Sequence, residues 1–374
     1  MKLTETNQSV GYEHGVIAAF PGDFFGYFGW PTVARMDDGT LMAAASGLRN
    51  DHVCPFGRNV ISTSADEGRT WTSPRVINDS PLDDRDSGVV CAGGERVLVS
   101  WFSIDKRSYE QRADPAVRGH WRQGLAWVDD KTAARWAGSW VSLSEDAGQT
   151  WGAAIRVPLT APHGPIRLRS GELMYFGKQF ITGMSGYRDG TGAIAAARST
   201  DAGRSWQQLG KVPLVEGTRE ANYHEPHVCE LPDGKLLGLI RFEFNEATRV
   251  QNRDLVNFSM MQTESTNGGR TWSPAEPMCF HGAPPHLMVH SSSVVVGVYG
   301  YRQDPWGQRI MLSWDRGASW DYGHILRDDG PDRDLGYPSS VELNDASILT
   351  VYYQKPAAPQ DKCGLLWSRW RLPV

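Results

Sequence analysis

The sequence predicts an all-β fold, a six-bladed β-propeller, on three observations. A short phrase of serine, acid, glycine and tryptophan recurs five times along the 374 residues. Between its copies lie six pairs of short β-rich runs joined by tight turns. Little of the chain has the apolar spacing of a long amphipathic helix, which argues against an α/β sheet.

The phrase reads SADEGRTW (Ser64–Trp71), SEDAGQTW (Ser144–Trp151), STDAGRSW (Ser199–Trp206), STNGGRTW (Ser265–Trp272) and SWDRGASW (Ser313–Trp320). The Asp accepts backbone N–H groups in a tight turn, and the Gly relieves a steric limit there. The Ser or Thr bonds locally, and the Trp buries a large ring against its blade. Such a phrase is a folding device and not a set of five ligand sites.

Six units open with GWPTVARM from Gly29, DSGVVCAG from Asp86, GPIRLRSG from Gly164, EPHVCELPDG from Glu225, PPHLMVHS from Pro284 and YPSSVELND from Tyr337. Each continues through a turn into a second β-rich run, such as TLMAAASG, KLLGLIRFE or SILTVYYQK, and so reads as a hairpin. A further strand then enters the phrase, except in the sixth unit. Six antiparallel modules form either a sandwich array or a ring, and a ring protects every edge. Residues 1–374 are therefore expected to form one propeller domain, with the stretch near Gly15–Phe20 closing against a last module that contains Gly364–Leu372. Residues 103–138, rich in Arg, Asp and Trp, are an insertion in the second blade. They form either a cap over the pocket mouth or a long solvent-facing hairpin.

Composition narrows the function classes. A net charge of -5 argues against a nucleic-acid partner, which usually meets a concentrated basic surface. No apolar run approaches the roughly 18 residues of a membrane span. The start, MKLTETNQSV, lacks the apolar core of a signal peptide. The expectation is a cytoplasmic protein, or a periplasmic or secreted one whose leader was removed. Five scattered cysteines without a CxxC pair suit reduced thiols. No HExxH-like spacing is present, and neither a metal nor any other cofactor is expected.

The repeated phrase resembles the Asp-box of the sialidase superfamily, and in strand order that resemblance covers nearly the whole chain. It implies a sialidase-like propeller with its boxes on the rim and its pocket over the axis. It also implies a retaining exo-glycosidase with a tyrosine nucleophile helped by a glutamate, an aspartate acid/base, and three arginines binding the sugar carboxylate. A carboxylate nucleophile would repel an anomeric centre that already bears a carboxylate, whereas tyrosine avoids part of that repulsion.

On this resemblance Tyr337, in DLGYPSSVEL, takes the nucleophile's place, and Glu225, in NYHEPHVCELPDGKLLGLIR, that of the assisting glutamate. Arg241 resembles the second arginine, since two short antiparallel strands return it to the face of Glu225. Arg302 resembles the third, ahead of Arg309. Asp51, in SGLRNDHVCPFG, falls where the acid/base is expected. The plainer alternatives are that Tyr337 packs beside Pro338, that Asp51 caps a turn with Asn50, that Glu225 is a paired rim acid, and that the arginines are end-of-strand surface charges.

The chain departs from the family at two coupled places. The family opens its first blade with a phrase like Phe-Arg-Ile-Pro, but here Trp30, in Phe28-Gly29-Trp30-Pro31-Thr32, holds the arginine's place. The glutamate that supports that arginine is matched by Gln354 in Tyr352-Tyr353-Gln354. Without the guanidinium, a buried glutamate would be an unpaired charge costing several kcal/mol, roughly, while a glutamine can be satisfied by hydrogen bonds. This pair of changes reads as a remodelled subsite. The inner-strand starts add Asp86, His163, His224 and His286 as substrate contacts, with His52 beside Asp51. An indole can stack on a sugar face, and histidines can bond hydroxyls or move protons. The expected partner is a carbohydrate with a terminal acidic sugar, such as a uronic acid, an unusual ulosonic acid or a modified sialic acid. A non-catalytic glycan-binding propeller and a His/Tyr polysaccharide lyase are the alternatives.

Overall fold

Each sequence unit forms one antiparallel sheet, and the six sheets follow one another around a ring. The computed structural model describes residues 1–179, 192–250, 254–357 and 361–373. Blade 1 runs outward through Tyr27–Arg35, Leu41–Arg49, Arg58–Ser64 and Arg75–Asn78. The inner strands of blades 2, 4, 5 and 6 are Asp83–Gly93, Tyr223–Glu230, Pro285–Val289 and Gly336–Glu342, and in blade 3 two short pieces, Leu159–Thr160 and Ile166–Arg167, pair with Leu173–Gln179. The last inner strand packs back against Tyr27–Arg35, so the ring is closed. The expected closure is also found, with Gly11–Ala18 lying antiparallel to Gly364–Trp370 as the outermost strand of blade 6. Lys2–Glu5 runs parallel to Ser319–Arg327 on blade 5.

The hydrophobic core is divided among the interfaces between neighbouring blades. Along the second strand of blade 1, Leu41, Ala43 and Ala45 face blade 6, whereas Met42 and Ala44 face blade 2. Both faces of the strand are buried, which is why it reads as a continuous apolar run. Similar mixed clusters fill the other four interfaces.

The repeated phrases join these layers. In the first, Gly68 N donates to Ser64 Oγ at 2.9 Å, and Thr70 N donates to Asp66 Oδ1 at 2.9 Å. The bonds recur at Ser144 and Asp146, Ser199 and Asp201, Ser265 and Asn267, and Ser313 and Asp315. A Cβ added at each box glycine would run into the preceding blade: at Gly68 into Leu349, at Gly148 into Met42, at Gly203 into Leu98, at Gly269 into Ala196, and at Gly317 into Leu237. The phrase therefore wedges one blade against the next.

The insertion is helical. After a 3-10 turn at Arg107–Arg112 come α1 (Pro115–Leu125) and α2 (Asp130–Trp136), so a long hairpin is ruled out there. Asp114 caps α1 by accepting from Ala116 N, with Pro115 in the first turn, and Asp129 caps α2 by accepting from Thr132 N. Trp121 is the one buried residue of α1, too weak an apolar stripe to read as a helix. No helix among the described residues is long and apolar enough to cross a membrane.

Candidate active site

Four blades begin their inner strand with the same irregularity. Trp30, Asp86, Glu225 and Tyr337 have φ of 55, 51, 45 and 51°. Each sits where pairing to the second strand slips, between Gly29 and Thr32, Arg85 and Gly88, His224 and His227, and Gly336 and Ser339. Such bulges re-aim a side chain, and a non-glycine residue in this region costs on the order of 1–3 kcal/mol. Pro31, Pro226 and Pro338 follow three of the four.

Two of these residues meet over the axis. The Tyr337 hydroxyl donates to Glu225 Oε1 at 2.7 Å. Arg241 Nη1 donates to Glu225 Oε2 at 2.5 Å and lies 3.3 Å from the Tyr337 oxygen, while its Nη2 donates to Glu243 Oε2 at 2.5 Å. Arg241 stands opposite His224 across the strand pair, which places it beside the bulged Glu225. Burial and the Glu225 charge hold the Tyr337 phenol well above its ordinary pKa, against the pull of Arg241 and Arg302. The resting tyrosine is neutral, with its proton directed at Glu225.

Arg302 lies 5.8 Å over the Tyr337 ring and 5.2 Å over that of Phe258. It donates to Leu335 O at 3.0 Å and to the Tyr353 hydroxyl at 3.2 Å. Among the described residues it has no carboxylate ion pair. Arg241, Arg302, Arg333, Phe258 and His52 line a cavity of about 520 Å³, with Glu243, His281 and Asp334 completing it. Of the three arginines at this mouth, Arg302 and Arg333 have no carboxylate ion pair among the described residues. His52 Nδ1 is 2.8 Å from Asp334 Oδ1, and burial lowers the His52 pKa against the pull of Asp334.

Several expected contacts lie elsewhere. Asp51 is exposed, accepts from His52 N at 2.6 Å, and lines a neighbouring cavity against the insertion instead of the axial one. Gln354 is fully buried inside the blades, where its Nε2 donates to Asp329 Oδ1 at 3.3 Å. Strand alternation turns Tyr353 toward the mouth and Gln354 away. Trp30 is 1% exposed and unavailable as a stacking platform, since guanidiniums of Arg85 and Arg49 lie 3.9 and 4.9 Å over its ring.

The expected histidines are buried. His163 and His286 pack with His227 at ring separations of 5.1, 5.6 and 4.2 Å, and burial depresses all three pKa values. Nδ1 of His227 accepts from Leu287 N, and Nδ1 of His286 from Ser340 N, which leaves the proton of each neutral ring on Nε2. His224 Nδ1 is 3.4 Å from Lys178 Nζ. Asp86 makes no hydrogen bond among the described residues, and burial pushes its carboxyl up to about 7. Sequence reasoning missed Glu243, which shares a strand face with Arg241 two residues earlier, as well as Arg85, Arg333, Asp334 and Tyr353.

The profile of the BNR repeat-like domain matches residues 125–351, and the chain belongs to that family. No curated protein matches it. Among solved structures, a protein of unknown function from Dyadobacter fermentans is similar at 20% identity and TM-score 0.73, over 97% of this chain and 99% of that one. The Hadza microbial sialidase Hz136 is similar at 16% identity and TM-score 0.64, over 96% and 68% of the two chains. The intramolecular trans-sialidase from Ruminococcus gnavus, solved with oseltamivir carboxylate, is similar at 16% identity and TM-score 0.63, over 96% and 97%. These likenesses establish the six-bladed fold.

Proposed function

We propose that the protein is a retaining exo-glycosidase that removes a terminal acidic sugar from a glycan. The observation that carries this reading is the 2.7 Å hydrogen bond from Tyr337 to Glu225, against which lie Arg241 and Arg302 of the axial cavity. Arg302, free of a carboxylate partner among the described residues, binds the substrate carboxylate. Tyr337 Oη attacks the anomeric carbon as Glu225 accepts the phenolic proton. The bond to the leaving oxygen breaks, and that oxygen takes a proton from a carboxylic acid, either Asp51 in the wall of the neighbouring cavity or Asp86, which burial keeps protonated to about pH 7. In the second step water attacks the anomeric carbon and gives its proton to that same carboxylate, while Tyr337 departs and recovers its proton from Glu225. Arg241 positions the Glu225 carboxylate.

A lyase would use a histidine as base, and that reading is disfavoured at His227 and His286, whose Nδ1 lone pairs are engaged by backbone N–H groups. Activity is to be screened on aryl glycosides of sialic and uronic acids. Tyr337→Phe is expected to lower kcat by roughly 10³-fold or more while sugar binding persists. Turnover at the wild-type rate in that variant removes Tyr337 as nucleophile. Asp51→Asn should lose most activity on poor leaving groups and little on activated ones. If Asp86→Asn shows that pattern instead, the proton donor is Asp86.

A further inference from the structure

The loop 50–57 stands between two cavities. His52 faces the axial one, whereas Asp51, its neighbour in the chain, faces a second of about 310 Å³. The far wall of this second cavity is the helical insertion, through Tyr109, Arg112, Val117 and Trp121. The two walls are tied together: Trp121 is 3% exposed, and its Nε1 donates to Asn50 Oδ1 at 3.3 Å. Lys362 Nζ holds the Asn50 carbonyl from blade 6. Arg112 is exposed and lies 5.3 Å over the Tyr109 ring, and it has no ion pair among the described residues.

We propose that this second cavity binds the sugar on the leaving-group side of the scissile bond, so that the insertion selects an oligosaccharide over a simple glycoside. The inference rests on the glycosidase reading above. A sugar in the axial cavity must pass its glycosidic oxygen outward, and the second cavity begins on the other side of the loop that carries His52 and Asp51. Apolar surface from Val53 and Val117, both half-buried, suits the faces of a pyranose, and the Arg112 guanidinium suits its hydroxyl rim. The volume lies at the small end of ligand pockets, about right for one ring.

The test compares an oligosaccharide with a substrate too small to fill the second cavity. The pairs are sialyllactose with sialyl fluoride, and a glucuronyl disaccharide with glucuronyl fluoride. Arg112→Ala and Val117→Phe are expected to raise KM for the oligosaccharide about tenfold, while kcat and KM for the fluoride stay unchanged. Equal effects on both substrates, or none, overturn the subsite. Calorimetry separates this failure from failure of the catalytic reading. The wild type should bind the disaccharide more tightly than its terminal monosaccharide, and Arg112→Ala should erase the difference, whether or not turnover occurs. A wild type that binds both equally overturns the subsite alone, and one that binds neither pair overturns both readings.

Discussion

Asp86 concentrates the electrostatics of the site in one carboxyl. It is 5% exposed, on a left-handed bulge, with Arg85 and Arg49 lowering its pKa and Glu225 and Asp83 raising it after burial. Its folded pKa of about 7 exceeds the ordinary 3.8, so the native state holds a proton that the unfolded chain has released. The stability from that proton is complete below about pH 4 and is lost as pH rises through 7. The span corresponds to about 4 kcal/mol at most. Asp86→Asn should therefore flatten the fall in unfolding free energy between pH 5 and 8, read from urea titrations at each pH. Anion affinity follows the same group, because ionised Asp86 adds a negative charge beside Glu225. Binding of an acidic monosaccharide should weaken through pH 7 in the wild type and stay level in Asp86→Asn. Parallel pH profiles for the two proteins would show that Asp86 is not the group responsible.

At the scale of elements, the box turns make a prediction that separates backbone strain from packing. Gly203 has φ +92°, and a Cβ there would sit 2.1 Å from Leu98 Cδ1 of the preceding blade. Gly171 has φ +85° with nothing within 4 Å of an added Cβ. Gly171→Ala should cost about 1 kcal/mol from conformation alone, and Gly203→Ala roughly 2–3 kcal/mol because the blades must part. Equal losses in urea melts would deny the boxes their wedging role. The same contrast explains what was legible in the sequence. The boxes and hairpins are local signals, so the fold and its closure could be read from them. The Trp-Pro, Glu-Pro and Tyr-Pro pairs also marked three of the four bulged strand starts. Side-chain direction was not legible, because a one-residue slip reverses it. That parity sends His52 to the axis and Asp51 away, and Tyr353 inward and Gln354 into the blade. The capping of Trp30 by Arg85 crosses a blade boundary, which no strand pattern encodes.

Over the whole molecule, the ring gathers residues far apart in the chain and holds them only while it is shut. Tyr337 comes from blade 6, Glu225 and Arg241 from blade 4, and Trp30 from blade 1. The closing strand Gly11–Ala18 covers Gly364–Trp370, which would otherwise be an open, hydrophobic edge able to pair with another chain. It packs closely, since a Cβ on Gly15 would lie 2.4 Å from the Trp367 ring. Trp367 belongs to the same cluster as Tyr337 and Tyr353, so loosening the closure reaches the nucleophile through packed side chains. Deleting residues 1–10 removes the Lys2–Glu5 pairing on blade 5 but keeps the closing strand, and it should lower Tm modestly with activity retained. Deleting residues 1–18 should lower Tm further, promote association detectable by light scattering, and reduce kcat at temperatures where far-UV circular dichroism still reports native strands. If the two deletions melt alike and turn over alike, the closing strand is a surface ornament and the ring is held by its inter-blade cores alone.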